Sequence, residues 1–256
     1  MTNPVQAVAA ALLQARRENR PADAAPLEMM LRSPEEAYAV QEQVGRSADW
    51  FASGVPRHWK SGGPSRTAAL THAPLPPANV WASPADARAC HFNHRLIEAE
   101  VALRLARDVS PDDAAKLAHE SAAALVDGMA VSIEVVDSRW QQFPQLAAAL
   151  LKLADQQSHG ALVLGEWRPF EARDWSRQPC VVQIGAGAPQ SFRGSQSLGD
   201  PTWLLPIWLQ HVTRQGATVP RGTIVTTGTW CGMLEAHRGD KVKVVFEGIG
   251  EAEVQL

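Results

Sequence analysis

Hydrophobic and polar positions divide the chain into two textures. Over the first fifty residues they recur at helical spacing. Val5, Val8, Ala9, Leu12 and Leu13 fall on one face behind Asn3-Pro4, where an N-cap type residue precedes proline. A second stripe through Val40 and Val44 follows Ser33-Pro34-Glu35-Glu36, which reads as a capping box with proline at the first helical position. A polar, Pro- and Ala-rich connector around residues 18–26 separates the two expected helices. Residues 54–88 show no period and are rich in Gly, Pro, Ser and Ala, the texture of a long functional loop region.

Further on, the period changes to two. Residues 97–105 and 129–136 alternate cleanly and read as half-buried strands, with shorter β patterns at 161–164, 223–227, 241–246 and 252–254. Helices are expected from Ser110-Pro111 to about Val126 and from Pro144 to about Asp155. A Trp-rich helix is expected from Asp200-Pro201, kinked at Pro206 and ended by Gly216. The strands alternate rather than forming continuous apolar runs, which favours an α+β fold over a regular βαβ array. The expected organisation is a helical N-terminal segment over residues 1–53 and a β-rich catalytic domain over 54–256.

Composition narrows the function classes. With 45% hydrophobic and 20% charged residues, the chain suits a globular enzyme. A net charge of -3 and no basic cluster beyond Arg16-Arg17 argue against a nucleic-acid partner. No run approaches the length of a membrane span, and no basic stretch leads into an apolar one at the N-terminus, so no membrane association and a cytoplasmic location are expected. Cys90, Cys180 and Cys231 lack metal-type spacing and are expected to be reduced thiols. IGAGAP at 184–189 lacks the strand-turn-helix context of a dinucleotide site and reads as a turn.

The chemistry concentrates in IEAEVAL, residues 97–103. In a strand, Ile97, Ala99, Val101 and Leu103 share one face while Glu98 and Glu100 share the other. SIEVVDSR at 132–139 sets Glu134 among Ile133, Val135 and Val136, where a lone charge should not remain unpaired. Three carboxylates converging from two β segments would form a hard-oxygen site suited to Mg²⁺ or Mn²⁺, with positions left for water or substrate.

These blocks, followed by KLADQQSHG at 152–160, GTIVTTGTWCG and a closing RGDKVKVVFEGIG, resemble the fumarylacetoacetate hydrolase superfamily. The branch they look most like contains the 2-keto-4-pentenoate hydratases and 2-oxo-3-enedioate decarboxylases. The resemblance implies a β-rich mixed roll with a helical N-terminal segment, assembled into homo-oligomers. It implies one divalent cation on Glu98, Glu100 and Glu134, and it matches the family's early lysine to Lys60 of HWKSGGPSR, as a catalytic and substrate-binding group. Asp155 falls where the hydrolase branch carries a lysine, so an aspartate there resembles the hydratase and decarboxylase branch. Ser158 and Thr229 are further substrate-binding candidates, and Trp230 would line the pocket. One departure stands out: HAPLPPANVW at 72–81 replaces a family acidic motif, and no acid occurs between Lys60 and Asp86. His72 and His58 are the nearest groups titrating near neutral pH, and His72 is the catalytic candidate.

The implied activity is hydration of a 2-hydroxy-2,4-dienoate or 2-oxo-4-enoate in aromatic or related catabolism. Decarboxylation of a 2-oxo-3-enedioate comes second and C–C hydrolysis of an acylpyruvate third. The implied partner is a small 2-oxo or 2-hydroxy acid. A rival reading is a non-catalytic homologue, which the missing acids favour and the retained carboxylates oppose.

Overall fold

The computed structural model describes residues 3–51 and 54–256, so the boundary expected at 53/54 rests partly on residues outside that set. Helix α1 (Pro4–Glu18) starts where the Asn3 side chain accepts the Val5 N–H at 2.9 Å. Helix α2 (Pro34–Ser47) starts at Ser33, whose hydroxyl accepts the Glu36 N–H at 3.4 Å. The capping box is not reciprocal. Glu36 reaches past Ser33 and accepts the Arg32 N–H at 2.6 Å. The buried stripes Val8, Leu12, Val40 and Val44 meet Trp140, Leu151, Leu153 and Ala154 in one apolar core. The helical segment therefore buries its face against residues drawn from the β-rich part of the chain.

Residues 54–88 are not an uninterrupted loop. They hold four short strands, β1 (His58–Gly62), β2 (Thr71–Pro74), β3 (Val80–Ala82) and β4 (Ala85–Asp86), each too brief to register as a period among the prolines. The long strand β5 (Leu96–Leu105) and helix α3 (Pro111–Lys116) follow. The helix expected to reach Val126 breaks at Leu117, where the backbone turns extended, and resumes as a 3₁₀ turn over His119–Leu125. Strand β6 (Val126–Val136) precedes helix α4 (Ala149–Ala154), which begins five residues beyond Pro144.

Next come β7 (His159–Leu164), β8 (Arg168–Pro169) and a hairpin absent from the sequence reading, β9 (Pro179–Ile184) with β10 (Gln190–Arg193). IGAGAP is the turn of that hairpin, entered through Gly185 at φ 55°. Pro206 does not kink a helix. It sits in the first turn of α5 (Leu205–Thr213), after a 3₁₀ turn over Pro201–Leu204. The chain closes with β11 (Ile224–Thr226), β12 (Leu234–Glu235), β13 (Lys241–Phe246) and β14 (Gly250–Gln255).

Among the described residues the strands form two sheets of mixed direction, which with the helices makes an α+β fold. The larger runs β2-β1-β11-β5-β6-β7-β3, with β12 also on β5 and β8 also on β6; the smaller runs β10-β9-β13-β14-β4. Alternation sends Ile97, Val101, Val131 and Ile133 to one face, where they pack with Val182, Val244, Phe246 and Val254 of the smaller sheet. Trp230 belongs to this core, 1% exposed and edge-on to Phe246, and it does not line the cleft described below. The opposite face of β5 and β6 carries the carboxylates.

Candidate active site

Register brings the three glutamates together. Antiparallel pairing of β5 with β6 sets Glu98 directly opposite Glu134, and Glu100 lies two residues along the same face, opposite Ser132. Their carboxylate oxygens lie within 4.8 Å of one another. Curvature then adds Lys60. In pairing order β1 is three steps from β6, through β11 and β5, which in a flat sheet would separate them by about 14 Å. Instead the sheet curls, and Lys60 Nζ donates to Glu134 Oε1 at 2.6 Å and to the Gln157 carbonyl at 3.2 Å.

The charges do not balance within the protein. Glu134 is fully buried; its Oε1 accepts from Lys60 and from His159 Nδ1 at 3.0 Å, while its buried Oε2 has no partner. A carboxylate can only accept, so His159 presents Nδ1–H, and burial holds its imidazole below the ordinary range. Burial pushes Glu134 upward, but Lys60 and His159 outweigh it and bring it below the usual carboxylate value. Burial opposes the Lys60 charge as well, yet Glu134, Glu98 and Glu100 together raise its pKa, so it stays an ammonium. Glu98 is pushed up to about 8, by burial first and by its carboxylate neighbours against the pull of Lys60. Glu100 is pushed up to about 7 for the same reasons, although it accepts hydrogen bonds from Thr226 Oγ1 and from the Gly228 N–H at 3.0 Å. Gly228 stands at φ 97°, a conformation that suits glycine.

With all three carboxylates ionised against one ammonium, the cluster carries two negative charges, the complement of one divalent cation, and the raised pKa values of Glu98 and Glu100 reflect the lack of that compensation. The unpartnered Glu134 Oε2 and the all-oxygen donor set fit Mg²⁺ or Mn²⁺.

The cluster sits at the floor of a cleft of about 570 Å³, within the range of small-molecule sites. Ser158 lines it, only 3% exposed, at φ 59°, with its hydroxyl unpartnered. Thr229 lines it too, but its hydroxyl donates within its own turn to the Gly232 carbonyl at 2.9 Å. Asp155 does not line it. It is fully buried and bound by Arg139 Nε at 2.6 Å, Arg16 at 3.2 Å, the Arg139 N–H at 2.9 Å and Ser138 Oγ at 3.1 Å. Those bonds occupy both carboxylate oxygens, so Asp155 anchors the turn that carries Ser158 rather than touching a ligand.

His72 also lies elsewhere. Alternation along β1 turns Ser61 and its cross-strand partner His72 away from the face that carries Lys60. His72 Nδ1 meets Ser61 Oγ at 2.8 Å, and its ring packs against Tyr38 and His211. Burial, then His211 and Arg214, hold its pKa well below the ordinary value, and His72 does not line the cleft in which a catalytic group is expected. His58 does not line the cleft either. The sequence reading missed His159, inside KLADQQSHG, and the Thr226 and Gly228 contacts, inside GTIVTTGTWCG. Nothing local marks these residues, because their partners lie 25 to 128 positions away.

The chain is similar to several known proteins. A 2-keto-4-pentenoate hydratase 1 of Dechloromonas aromatica (strain RCB) is 31% identical over 157 residues, 60% of this chain and 57% of that protein. A Pseudomonas sp. 4-oxalocrotonate decarboxylase is 24% identical over 164 residues, 62% of this chain and 60% of that protein. The alignments thus span less than two thirds of these curated relatives. The solved structure of 4-oxalocrotonate decarboxylase from Pseudomonas putida G7, complexed with magnesium and adipate, superposes with a TM-score of 0.80 at 19% identity. It covers 98% of this chain and 96% of that one, which shows the fold. The fumarylacetoacetate (FAA) hydrolase C-terminal family matches residues 65–256, a stretch that includes all three glutamates. A match over that much of the sequence settles the affiliation: the chain belongs to the fumarylacetoacetate hydrolase C-terminal family.

Proposed function

We propose that the protein is a divalent-cation-dependent hydro-lyase acting on 2-hydroxy-2,4-dienoates or the corresponding 2-oxo-4-enoates. The observation that carries this reading is the trio of half-buried Glu98 and buried Glu100 and Glu134, which when ionised lacks two positive charges, at the floor of a cleft of small-molecule size. When bound there, a divalent cation supplies Lewis-acid polarisation of a 2-oxo acid. The chain's own residues do the rest. Lys60, kept protonated by the carboxylates, offers the fixed positive charge that an anionic substrate and a developing enolate require. The Ser158 hydroxyl, buried and unpartnered, is free to hydrogen-bond a ligand. Val136, Phe143, Leu150 and Leu153 give the cleft apolar walls that exclude bulk water around a conjugated chain.

Loss of CO₂ from a 2-oxo-3-enedioate is the second reading, supported by the 24% identical relative named as a decarboxylase. The deciding measurement is ultraviolet turnover of 2-hydroxypenta-2,4-dienoate by chelator-treated protein with and without Mg²⁺ or Mn²⁺. Metal-dependent turnover that oxalate inhibits is the expected result. No metal-dependent, oxalate-sensitive reaction on either a dienoate or an enedioate would mark the chain as a non-catalytic family member.

A further inference from the structure

The cleft contains a second cation that the proposed chemistry at the metal does not use. Four charged residues line it: Lys60, Glu98, Glu100 and Lys152. Lys60 is committed to Glu134. Lys152 is half-buried, and among the described residues no carboxylate lies within ion-pair distance of it. It stands on α4, whose Leu151 and Ala154 lie wholly in the helical core, while Ala149 and Lys152 line the cleft and Leu153 belongs to both. The cleft lining it shares includes the apolar Phe143, Pro144, Leu150 and Met233 beside the neutral polar Thr71, Ser197 and Thr229. Lys152 is also nearer the solvent than the floor of the cleft: Glu100 is 2% exposed and Ser158 3%, whereas Lys152 is half-buried.

An ammonium that lines a small-molecule cleft without a protein counter-ion suits a ligand that brings its own anion. We propose that Lys152 binds the distal carboxylate of a dicarboxylic 2-oxo (or 2-hydroxydienoic) acid, and that this carboxylate is retained through the reaction. The inference rests on the function proposed above, which places the 2-oxo acid end at the glutamates. Retention follows from charge. Pairing with Lys152 stabilises the distal group as a carboxylate, whereas expelling it as neutral CO₂ would forfeit that pairing. Hydration makes no such demand: one water is consumed, one C–O and one C–H bond form across a carbon–carbon double bond, and both carboxylates remain.

The test compares three ligands on Mn²⁺-loaded protein by calorimetric titration: oxalate, 2-oxohexanoate and 2-oxoadipate. Wild-type protein should bind 2-oxoadipate about tenfold tighter than 2-oxohexanoate, the yield of one part-buried charge-assisted contact. Lys152→Met should erase that preference and Lys152→Arg should keep it, with oxalate binding alike in all three proteins. Equal affinity for the two 2-oxo acids in wild-type protein, or a preference that survives Lys152→Met, overturns the assignment and leaves the metal-dependent reading intact. Lys152 would then serve only the C-terminal turn of α4. CO₂ released in step with consumption of a 2-oxo-3-enedioate also overturns it. Failure of all three ligands to bind removes the functional reading and this inference with it.

Discussion

Replacing Lys60 with methionine keeps most of the side-chain volume and removes one charge. Lys60 Nζ lies 2.6 Å from Glu134 Oε1, with the lysine side chain 12% exposed and the glutamate fully buried. Deleting one partner of a buried pair costs about 3–5 kcal/mol, because the other charge is left uncompensated. His159 still donates to the same oxygen at 3.0 Å, which points to the lower end, about 3 kcal/mol. For a chain of this size that is a drop of about 6–12 °C in the midpoint of thermal unfolding. The loss should appear in chelator-treated protein and shrink when Mn²⁺ is added, since a cation restores positive charge beside Glu134. Removing a like charge should also leave Mn²⁺ affinity at least as tight as in wild type. Turnover should still fall about a hundredfold in kcat/KM, the worth of a charge-assisted contact to a developing enolate of about 3 kcal/mol. Differential scanning calorimetry with and without Mn²⁺, beside steady-state kinetics, separates these effects. Equal midpoints for the two metal-free proteins would refute the buried pair. A loss of stability that Mn²⁺ does not relieve would show that the stem, not the charge, is what the site needs.

Two further outcomes follow from the same cluster. Titration of metal-stripped protein with Mn²⁺ should reveal one site per chain, weakened about a hundredfold or more in Glu134→Ala and Glu98→Ala because each removes a direct oxygen ligand; wild-type affinity in both variants would dismantle the assignment. In metal-free protein Glu98 and Glu100 are raised to about 8 and about 7, so between pH 4.5 and 8 these two groups hold more protons in the native state than in the unfolded chain. Their contribution to stability should therefore fall as pH rises through that window, against the opposing contribution of the buried histidines below about 6.5. Wild type compared with Glu98→Gln should thus show a pH-dependent loss that Mn²⁺ reduces; a difference that does not vary with pH would contradict the raised carboxylates.

What the sequence made legible was local and periodic. Alternation in IEAEVAL is enough to put Glu98 and Glu100 on one face, and a strand at 132–136 is enough to offer Glu134 to the same sheet. The caps at Asn3, Ser33, Ser110 and Asp200 mark four helical starts, because a side chain must satisfy orphan N–H groups within a few residues. Where those helices stop was less legible. Leu117 carries no breaker, and α3 ends there although the next eight residues have good helical composition. Strands of two to five residues in 58–86 leave no measurable period, so β1 through β4 read as loop. Long-range consequences were the least legible. That Lys60 faces Glu134 depends on sheet curvature, and that His72 does not depends on a two-strand register; neither is written in its neighbours.

The helical segment matters to the site although none of its charged groups enters it. Gln156, Gln157 and Ser158 stand in sequence at φ 45°, 54° and 59°, a left-handed run that costs non-glycine residues about 1 kcal/mol or more each. Such a run persists only where its surroundings over-determine it. Arg16 of α1 donates to Gln156 Oε1 at 2.8 Å and to Asp155, and Arg139 grips Asp155 from the opposite element. Gln157 Nε2 donates to Thr71 at 2.6 Å, and the Ser158 carbonyl accepts the Asp137 N–H at 2.9 Å. The strained turn points the Gln157 carbonyl at Lys60 and sets Ser158 on the cleft lining with its hydroxyl unpartnered. An ordinary extended connection from α4 to β7 would send both groups elsewhere. Asp155 thus belongs to the site through the turn it anchors, and α1 belongs to it through Arg16, whose guanidinium burial and the nearby Arg139 lower to about 9 against the pull of Asp155. Arg16, its side chain 20% exposed, holds Asp155 and Gln156 in place and so ties the helical core to the turn that carries Ser158.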